Sequence, residues 1–459
     1  MSYPDVVNAL ADGFRQSGCD LCTNHPGFHS QRLAALLGCD VTSRSERAAF
    51  ATAWGASFVG RRAVVTFKNV GLNDAADPFV NASFVGCNGG LVCVVFDDID
   101  VEQSQLRLDS RFYRPAGDAL WLEPTSIQDA YRWAARAFEL SEIFETMVVI
   151  RITNILLYAR GPHRPEISAP RPHKAFARVP GRWVMHPSNV KALTNNVIQR
   201  RSRLKEWSDS EPTCGCLPND DEEFSVLVGA QPPGEPPPGA WARLDRYPIP
   251  SCILHAVARA SYTAVHEHGD GHARLAILSA THGSTVLSFP LAGPEPNRVY
   301  HSRDWYEPLY GAIRQLDTRV VIGDIGSHTM DPAQTLDACL CYGSSVAVAA
   351  GAAAAAPERR VVCVTGDGGF SHSGREGLAE AVDRRVNLVV LVIDNGGCQD
   401  TGGQAVSIDW PEPRNGLRVE RLNFSAATPL TIKKIESWFK ASGVTLVRAT
   451  VDLPLEHPT

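Results

Sequence analysis

Short apolar segments alternate with helical patterns along the first third of the chain. Three nearly continuous apolar runs, at 64–67, 91–96 and 148–152, contain many branched residues. Runs without polar alternation are typical of parallel strands covered on both faces. Helical patterns lie between them at 45–60 and 127–140, and the second opens at a Thr125 or Ser126 cap. The alternation predicts a doubly wound parallel sheet.

The same pattern returns in the last third. Apolar runs at 319–322, 361–364 and 388–393 are interleaved with predicted helices at 337–350 and 374–386. The predicted fold class is therefore α/β, with two doubly wound parallel sheets. Crossovers between parallel strands are right-handed, so the turns that follow these strands meet at one carboxyl edge. That edge is where open α/β sheets bind their ligands.

The middle of the chain has a different composition. Proline-rich stretches at 161–174 and 231–238 are typical of semi-rigid extended linkers, and we interpret both as boundaries. A charged helical stretch is predicted at 195–209, and a helix at 253–265 and a strand at 275–278 are predicted between about 251 and 300. The expected organisation is a first domain at 1–165, a linker with a reduced middle segment at 166–295, and a last domain at 296–459.

Composition narrows the class of protein. With 44% apolar and 20% charged residues the chain is ordinary globular material, and its net charge of -6 argues against a nucleic-acid partner. No secretory signal and no apolar run of membrane-spanning length is visible, so we expect a cytoplasmic protein without a membrane partner. Cys19 and Cys22, like Cys214 and Cys216, lack the second pair that a zinc site needs.

Two turns at the predicted edge carry the chemistry. Gly366-Asp367-Gly368 follows one strand, and Asp394-Asn395-Gly396-Gly397 follows the next. A carboxylate and an amide oxygen suit a hard cation such as Mg²⁺, which fills its remaining positions with water and phosphate oxygens. The glycines let backbone groups approach a diphosphate, and the following helix offers its N–H groups. A Mg²⁺-diphosphate site is predicted.

The spacing of these turns also carries a resemblance. GDG is followed after 25 residues by DN, where NN is usual, which resembles the thiamine diphosphate (ThDP) binding motif. Five short segments are similar to the alpha subunit of indolepyruvate:ferredoxin oxidoreductases. They are GDGGFSHSG, VIDN, TGGQ, GDIGSHTMDP and DACLCYGSS. The resemblance implies ThDP and Mg²⁺ as cofactors. The metal ligands would be Asp367, Asn395 and the carbonyl of Gly397, and further cofactor contacts would be Gly366, Gly368, Gly369, Cys398 and Gln404.

ThDP chemistry requires one carboxyl group at the other end of the cofactor. A carboxyl group that hydrogen-bonds the aminopyrimidine ring promotes loss of the thiazolium proton. Glu46, in RSERAAFATAWGAS, matches the catalytic glutamate of the family motif. An acidic residue in the first turn of a helix is also favourable to the helix dipole alone, so a structural role is the alternative.

The resemblance supplies further candidates on both predicted sheets. The Pro26-Gly27 turn falls where the family approaches the cofactor, as does the GDIG turn with Asp324 and Gly326. Histidines on these loops are candidate active-site groups, although loop histidines are more often solvated or structural. They are His25, His29, His328 and His372.

The chain departs from the family in four places. The family alpha subunit ends in a ferredoxin-like domain with iron–sulfur clusters, which this sequence does not show. The family's TGHQ becomes TGGQ at 401–404, and a Thr-Arg pair becomes Asn154-Ile155. The cysteine-bearing turn before the last domain is replaced by VYHSRDWYEPLY. Loss of a cation and a proton donor should change which carboxylate substrate fits.

Three hypotheses of function remain open. The first is a non-oxidative decarboxylase or carboligase, which turns a 2-oxo acid into an enamine that is protonated or ligated to a second carbonyl compound. The second is the catalytic subunit of an indolepyruvate-like 2-oxo acid oxidoreductase, which passes electrons to a separate iron–sulfur or gamma-type subunit. The third is a ThDP-binding subunit without activity. We rank the first above the second, and by resemblance we expect a homodimer.

Overall fold

The first part of the chain folds as the predicted parallel sheet. The computed structural model describes residues 5–104, 106–165, 172–281, 306–398, 404–424, 432–440 and 442–451. Five parallel strands have the order β1-β2-β3-β5-β4. The strands are β1 (Leu21–Asn24), β2 (Ala63–Lys68), β3 (Leu91–Asp97), β4 (Leu120–Leu122) and β5 (Val148–Thr153). The helices are α1 (Val6–Gln16), α2 (Ser30–Leu36), α3 (Glu46–Phe58), α4 (Gly71–Asp74), α5 (Ala76–Val85), α6 (Ile127–Phe144) and α7 (Asn154–Tyr158).

Local sequence explains where the two long helices of this part begin. The Ser45 side chain caps α3 by accepting a hydrogen bond from the N–H of Ala48, and Ser126 caps α6 in the same way from Asp129. Helix α3 is buried from Ala48 to Phe58 and is rich in alanine and glycine. It is therefore a central helix that packs at close range on all sides.

The middle of the chain is folded, contrary to the prediction of linkers with one element pair. A four-stranded sheet has the order β10-β7-β8-β6, and one further strand, β9, pairs antiparallel with β4 of the first sheet.

The predicted strand at 275–278 is wrong because this segment lies inside a helix. The predicted helix at 253–265 ends at Arg259 and is followed by a strand. The proline-rich stretch at 231–238 connects two strands of this one sheet and is not a boundary. Residues 166–171 lie outside the described residues. The strands are β6 (Gly215–Cys216), β7 (Glu223–Val228), β8 (Ala240–Leu244), β9 (Arg246–Tyr247) and β10 (Tyr262–Glu267), and the helices are α8 (Pro180–Trp183), α9 (Val190–Ser210), α10 (Ser251–Arg259) and α11 (His272–Thr281).

The last part is a six-stranded, fully parallel sheet with the order β12-β11-β13-β14-β16-β15. The predicted helix at 337–350 begins late, since a short strand and a turn precede it. The fold class with two doubly wound parallel sheets is confirmed. The strands are β11 (Arg319–Gly323), β12 (Ala338–Cys339), β13 (Arg360–Gly366), β14 (Leu388–Asp394), β15 (Leu417–Phe424) and β16 (Val444–Val451). The helices are α12 (Glu307–Ile313), α13 (Ser345–Ala355), α14 (Asp367–Gly369), α15 (Arg375–Asp383) and α16 (Ile432–Trp438).

Two glycines allow the first and last sheets to pack against each other through α3 and α13. A Cβ atom on Gly55 would lie 1.9 Å from the carbonyl oxygen of Val348, and one on Gly351 would lie 1.8 Å from that of Thr52. The two helix backbones therefore touch, and only glycine fits at both positions. This contact fixes the relative position of the two sheets. None of the described helices is both long and apolar enough to cross a membrane.

A buried ion network attaches the middle sheet to the first sheet. Arg151 donates to Asp97 at 2.6 Å and to Glu123 at 2.9 Å, and Arg111 lies 2.8 Å from Glu267, which ends β10. All five side chains are almost fully buried. Buried charges are tolerated only when they are paired in this way. The loop after β10 is thereby held against the carboxyl edge of the first sheet.

Replacing Gly351 by alanine tests the helix contact. In a helix the exchange normally stabilises a protein, by roughly 0.5–1 kcal/mol. Here the added Cβ would collide with the Thr52 carbonyl, so we expect the free energy of unfolding to fall by about 2 kcal/mol or more. Chemical denaturation measures the change. Gly234→Ala is the matched control, because a Cβ there meets no atom within 4 Å. Equal stability of the two variants would contradict the close crossing.

Candidate active site at the carboxyl edges of the two sheets

The two turns that carry the predicted chemistry lie side by side. Strand β13 ends at Gly366 and its parallel neighbour β14 ends at Asp394, with Gly366 paired to Ile393. Asp367 and Asn395 therefore follow adjacent strand ends at the same edge of the sheet. This is the juxtaposition that the sequence pattern predicted.

Asp367 is almost fully buried at this edge. Its Oδ1 accepts a 2.7 Å hydrogen bond from the N–H of Gly368, whereas its Oδ2 has no hydrogen-bond partner among the described residues. Burial raises the pKa of Asp367, and the N–H groups of Gly368, Gly397 and Asn395 oppose that rise. A buried carboxylate oxygen without a donor, beside the half-buried Asn395, fits a hard cation such as Mg²⁺.

The glycines around Asp367 make room for close packing. A Cβ on Gly368 would lie 2.5 Å from the Sγ of Cys398, and one on Gly369 would lie 2.9 Å from the Oγ1 of Thr365. A Cβ on Gly397 would lie 2.5 Å from the carbonyl oxygen of Gln404, which accepts a hydrogen bond from the N–H of Cys398. The two turns therefore interlock through backbone atoms. Residues 401–403 of the TGGQ segment lie outside the described residues.

The helical segment after Asp367 contains an irregular turn. Helix α14 continues through a π-helical turn, Phe370–Gly374, into α15. Such turns inside α-helices are found frequently at functional sites. His372 lies in this turn and is exposed, and its ring centre is 5.2 Å from that of Tyr342.

Asp394, which replaces the usual asparagine of the motif, is paired with a positively charged side chain. Its Oδ2 accepts a 2.5 Å hydrogen bond from the Nε of Arg448, and the Arg448 guanidinium lies 4.8 Å from the ring centre of Trp410. The extra negative charge is neutralised beside the site. Within the described residues, the Oδ2 of Asp367 therefore remains open to a cation.

Asp324 is held by donors of its own chain, and its contact with the cofactor stays a prediction. Its fully buried carboxylate accepts hydrogen bonds from the N–H of Gly343 at 2.8 Å and from the hydroxyl of Ser345 at 2.6 Å. Burial raises the pKa of Asp324, and these donors oppose the rise. The side chain is committed to holding the turn 340–344 in front of α13. Gly326 lies in the loop that follows, against the ring of His328.

Glu46 lies in the first turn of α3, at the carboxyl edge of the first sheet. Its side chain is half-buried and packs on Gly71, where a Cβ would lie 2.6 Å from the Cγ of Glu46. Only a glycine at position 71 leaves room for this carboxyl group. Because Gly71 follows β2, the second strand of the sheet also shapes the surroundings of Glu46.

The residues on both sides of Glu46 connect its helix to the last sheet of the same chain. Ser45 donates to Glu376 at 2.7 Å, and Glu376 lies on α15, the helix that continues from Asp367. On the other side, Arg47 donates to Asp77 at 2.9 Å. The thiol of Cys341 also donates to Asp77, with 3.1 Å between Sγ and Oδ2. One chain therefore brings the Glu46 helix and the Asp367 turn to a common junction.

Tyr342 occupies this junction and was missed by the sequence analysis. It lies on the turn ordered by Asp324, directly after Cys341. A Cβ on Gly368 would lie 2.9 Å from the Tyr342 hydroxyl oxygen, which also contacts the thiol of Cys398. Burial, together with Cys398, raises the pKa of Tyr342 to about 12. A tyrosine beside a glycine at a strand-to-helix turn was the sequence signal that was available.

The remaining predicted histidines lie in three different surroundings. His328 is buried behind the GDIG turn, where burial lowers its pKa to about 4 and keeps the ring neutral. His25 is half-buried and its Nδ1 lies 2.9 Å from the carbonyl oxygen of Ser43, close to the start of α3. His29 precedes α2, and burial lowers its pKa. Of these three, His25 contacts the segment that leads into α3, and His328 is the most buried.

The Pro26-Gly27 turn lies against the end of β2. Pro26 is exposed, and a Cβ on Gly27 would lie 3.1 Å from the Cβ of Lys68. At the neighbouring strand end, Asn154 donates to Asp98 at 3.1 Å. Asn154 thus stabilises a loop at the first position of the pair where the resemblance expected Thr-Arg. A separate cavity of about 190 Å³, between residues 180–189 and 329–336, contains none of the predicted site residues.

Comparison with known proteins supports the resemblance that the sequence motifs indicated. Residues 324–453 match the family described as "Thiamine pyrophosphate enzyme, C-terminal TPP binding domain". The indolepyruvate oxidoreductase subunit IorA of Archaeoglobus fulgidus is 26% identical, over 89% of this chain and 76% of that protein. The IorA subunit of Methanothermobacter marburgensis is 25% identical, over 94% of this chain and 79% of that protein.

A solved structure agrees at the level of the fold. The thiamine diphosphate-dependent 4-hydroxybenzoylformate decarboxylase of Rhodococcus jostii RHA1 superposes with a TM-score of 0.55 at 16% identity, covering 98% of this chain and 100% of that chain. At this identity the likeness concerns the fold alone. Together with the sequence relatives, it confirms the predicted resemblance: the chain is a ThDP-dependent enzyme related to the IorA subunits of indolepyruvate oxidoreductases.

Proposed function

We propose that this chain is the ThDP- and Mg²⁺-dependent catalytic subunit of a 2-oxo acid oxidoreductase. The observation that carries the proposal is the junction within one chain of the Glu46 helix and the Asp367 turn. The sequence relatives, which match over most of the chain and are named indolepyruvate oxidoreductase subunits, favour this hypothesis over the non-oxidative decarboxylase that we ranked first. An arylpyruvate such as indolepyruvate is the corresponding substrate.

Different site residues would act at the two ends of the cofactor. Asp367, Asn395 and the carbonyl of Gly397 would hold Mg²⁺ and, through it, the diphosphate. Bound ThDP supplies a nucleophilic carbon that adds to the ketone of the substrate. Glu46 would hydrogen-bond the aminopyrimidine ring and so promote loss of the proton from that carbon. Tyr342, at the junction between these ends, would lie beside the central part of the cofactor.

The overall reaction requires an electron acceptor. Conversion of a 2-oxo acid and coenzyme A into CO₂ and an acyl thioester releases one proton and two electrons. A separate iron–sulfur subunit would accept these electrons. The contacts of Ser45 with Glu376 and of Asp77 with Cys341 support a cofactor site within each chain, and a homodimer stays a prediction.

The reaction type is tested with the chain purified alone and co-purified with its partner subunits. With ThDP, Mg²⁺ and a panel of 2-oxo acids, we expect viologen dye reduction that depends on coenzyme A. Mass spectrometry identifies the products, and CO₂ is measured in parallel. Release of CO₂ and aldehyde at the same rate without coenzyme A or dye would support the decarboxylase hypothesis instead.

Removal of the Glu46 carboxyl group should separate binding from turnover. We expect Glu46→Gln to fold and to bind ThDP as the wild type does, with turnover reduced by about 100-fold or more, since general acid–base groups contribute roughly 10²–10⁴-fold. Calorimetry measures binding, and product formation measures turnover. Glu235→Gln, at an exposed loop position, is the control. Full activity of Glu46→Gln would remove Glu46 from the mechanism.

Removal of the Asp367 carboxylate should weaken binding of the cofactor, whereas removal of the Glu46 carboxyl group should reduce turnover. We expect Asp367→Ala to weaken ThDP binding in the presence of Mg²⁺ by at least about 10-fold, because even outer-shell partners of a metal contribute roughly 10–100-fold. Titration of ThDP with and without Mg²⁺ measures the effect, and the metal should no longer help the variant. The control is Asp220→Asn, whose side chain is 77% exposed. Metal-dependent binding that survives in Asp367→Ala would exclude Asp367 as a ligand.

A further inference from the structure

We infer that Lys68 binds the carboxylate of the 2-oxo acid and thereby distinguishes acids from uncharged carbonyl compounds. The inference rests on the proposed function and adds the residue that recognises the substrate's charge. It is drawn from the position of Lys68, from its hydrogen bonds and from the pairing of the other cations around the site.

Lys68 ends β2 at the carboxyl edge of the first sheet. The Cβ atom of Lys68 lies 3.1 Å from the place that a Cβ on Gly27 would occupy, and Gly27 belongs to the turn that follows β1. Three residues later in the chain, Gly71 packs on Glu46. Lys68 therefore lies between the two turns that surround the proposed pyrimidine end of the cofactor. A substrate that reacts there approaches the same edge.

The ammonium group of Lys68 has unused donors. Within the part of the chain that the structure describes, its Nζ makes one hydrogen bond, of 2.6 Å, to the carbonyl oxygen of Gln103, and it has no carboxylate partner. An ammonium group has three donors, so two remain for a ligand. An ammonium group that faces no carboxylate among the described residues is a suitable partner for an anionic ligand.

The loop that holds Lys68 is itself fixed. Asp98 accepts hydrogen bonds from the N–H of Glu102 at 2.9 Å, from the N–H of Gln103 at 2.8 Å and from the side chain of Asn154. The Asp98 carboxylate is thereby occupied and does not compete with a substrate for Lys68. Its bond to the Gln103 N–H also holds that residue in place, so the carbonyl that orients the ammonium group is well positioned.

The arginines around the junction are already paired. Each has a carboxylate partner within 3.0 Å, which removes it as a free anion-binding group. Among the described residues Arg114 has no carboxylate partner, but its guanidinium lies 5.0 Å from the ring centre of Tyr247 on β9, at the contact with the middle region. The paired arginines are Arg44, Arg47, Arg375 and Arg448, with Asp383, Asp77, Asp409 and Asp394 respectively.

Replacing Lys68 by methionine keeps most of the side-chain volume and removes the charge. We expect the KM for 2-oxo acids to rise by about 10- to 100-fold, the usual range for losing a hydrogen bond to a charged group, with kcat changed much less. Lys68→Arg should retain most of the affinity. ThDP binding should be equal in all variants, which separates this result from a failure of the cofactor site.

The matched control is Lys174→Met. Lys174 is also half-buried, and its Nζ also donates a 2.6 Å hydrogen bond to a backbone carbonyl, that of Glu142. It contacts Gly60, just before β2, and so lies at the opposite edge of the sheet. A general effect of removing a lysine would appear equally in both variants.

A binding experiment makes the test independent of turnover. Calorimetry with phenylpyruvate and with phenylacetaldehyde, on protein without cofactor, compares an acid with an uncharged carbonyl compound. We expect the wild type and Lys174→Met to prefer the acid, and Lys68→Met to lose that preference. Unchanged acid binding by Lys68→Met, equal weakening of acid and aldehyde, or no preference in the wild type would each overturn the inference.

Discussion

The backbone crossing of α3 and α13 is the contact on which the candidate site depends. Gly55 and Gly351 bring the two helices together without intervening side chains, so their separation is set by backbone atoms. Glu46 begins one helix, and the turn with Tyr342 leads into the other. A cofactor held at both ends needs a fixed distance between its anchors. Contact between backbones provides that distance more rigidly than long side chains would.

Two buried carboxylates of the last sheet have opposite surroundings. Asp324 is surrounded by donors of its own chain, the N–H of Gly343 and the hydroxyl of Ser345, and so holds a turn in place. Asp367, at the end of the neighbouring strand, leaves one buried oxygen without a partner among the described residues. A buried polar group without a partner costs free energy unless a ligand completes it. The same residue type therefore holds a turn in place at one strand end and leaves an oxygen open to a ligand at the next.

The middle sheet is attached to the carboxyl edge of the first sheet and is not a passive linker. Its last strand ends at Glu267, which pairs with Arg111 inside the buried ion network of the first sheet. Neighbouring Arg151 also donates to the carbonyl of His268. Paired buried charges hold these loops in one arrangement because separating any member leaves an unpaired charge. The loops near Lys68 therefore rest on a stiff support.

The sequence by itself determined the two parallel sheets, their strand ends, a Thr125 or Ser126 cap for α6 and the adjacency of Asp367 and Asn395. These follow from local patterns, since an apolar run, its terminal turn and the handedness of the crossover need no distant contact. Only the tertiary structure decided that 275–278 is helical, that the middle forms a sheet, and that Asp77, Cys341 and Tyr342 join the site. Each of these depends on partners far away in the chain, and short segments adopt the structure that such partners stabilise.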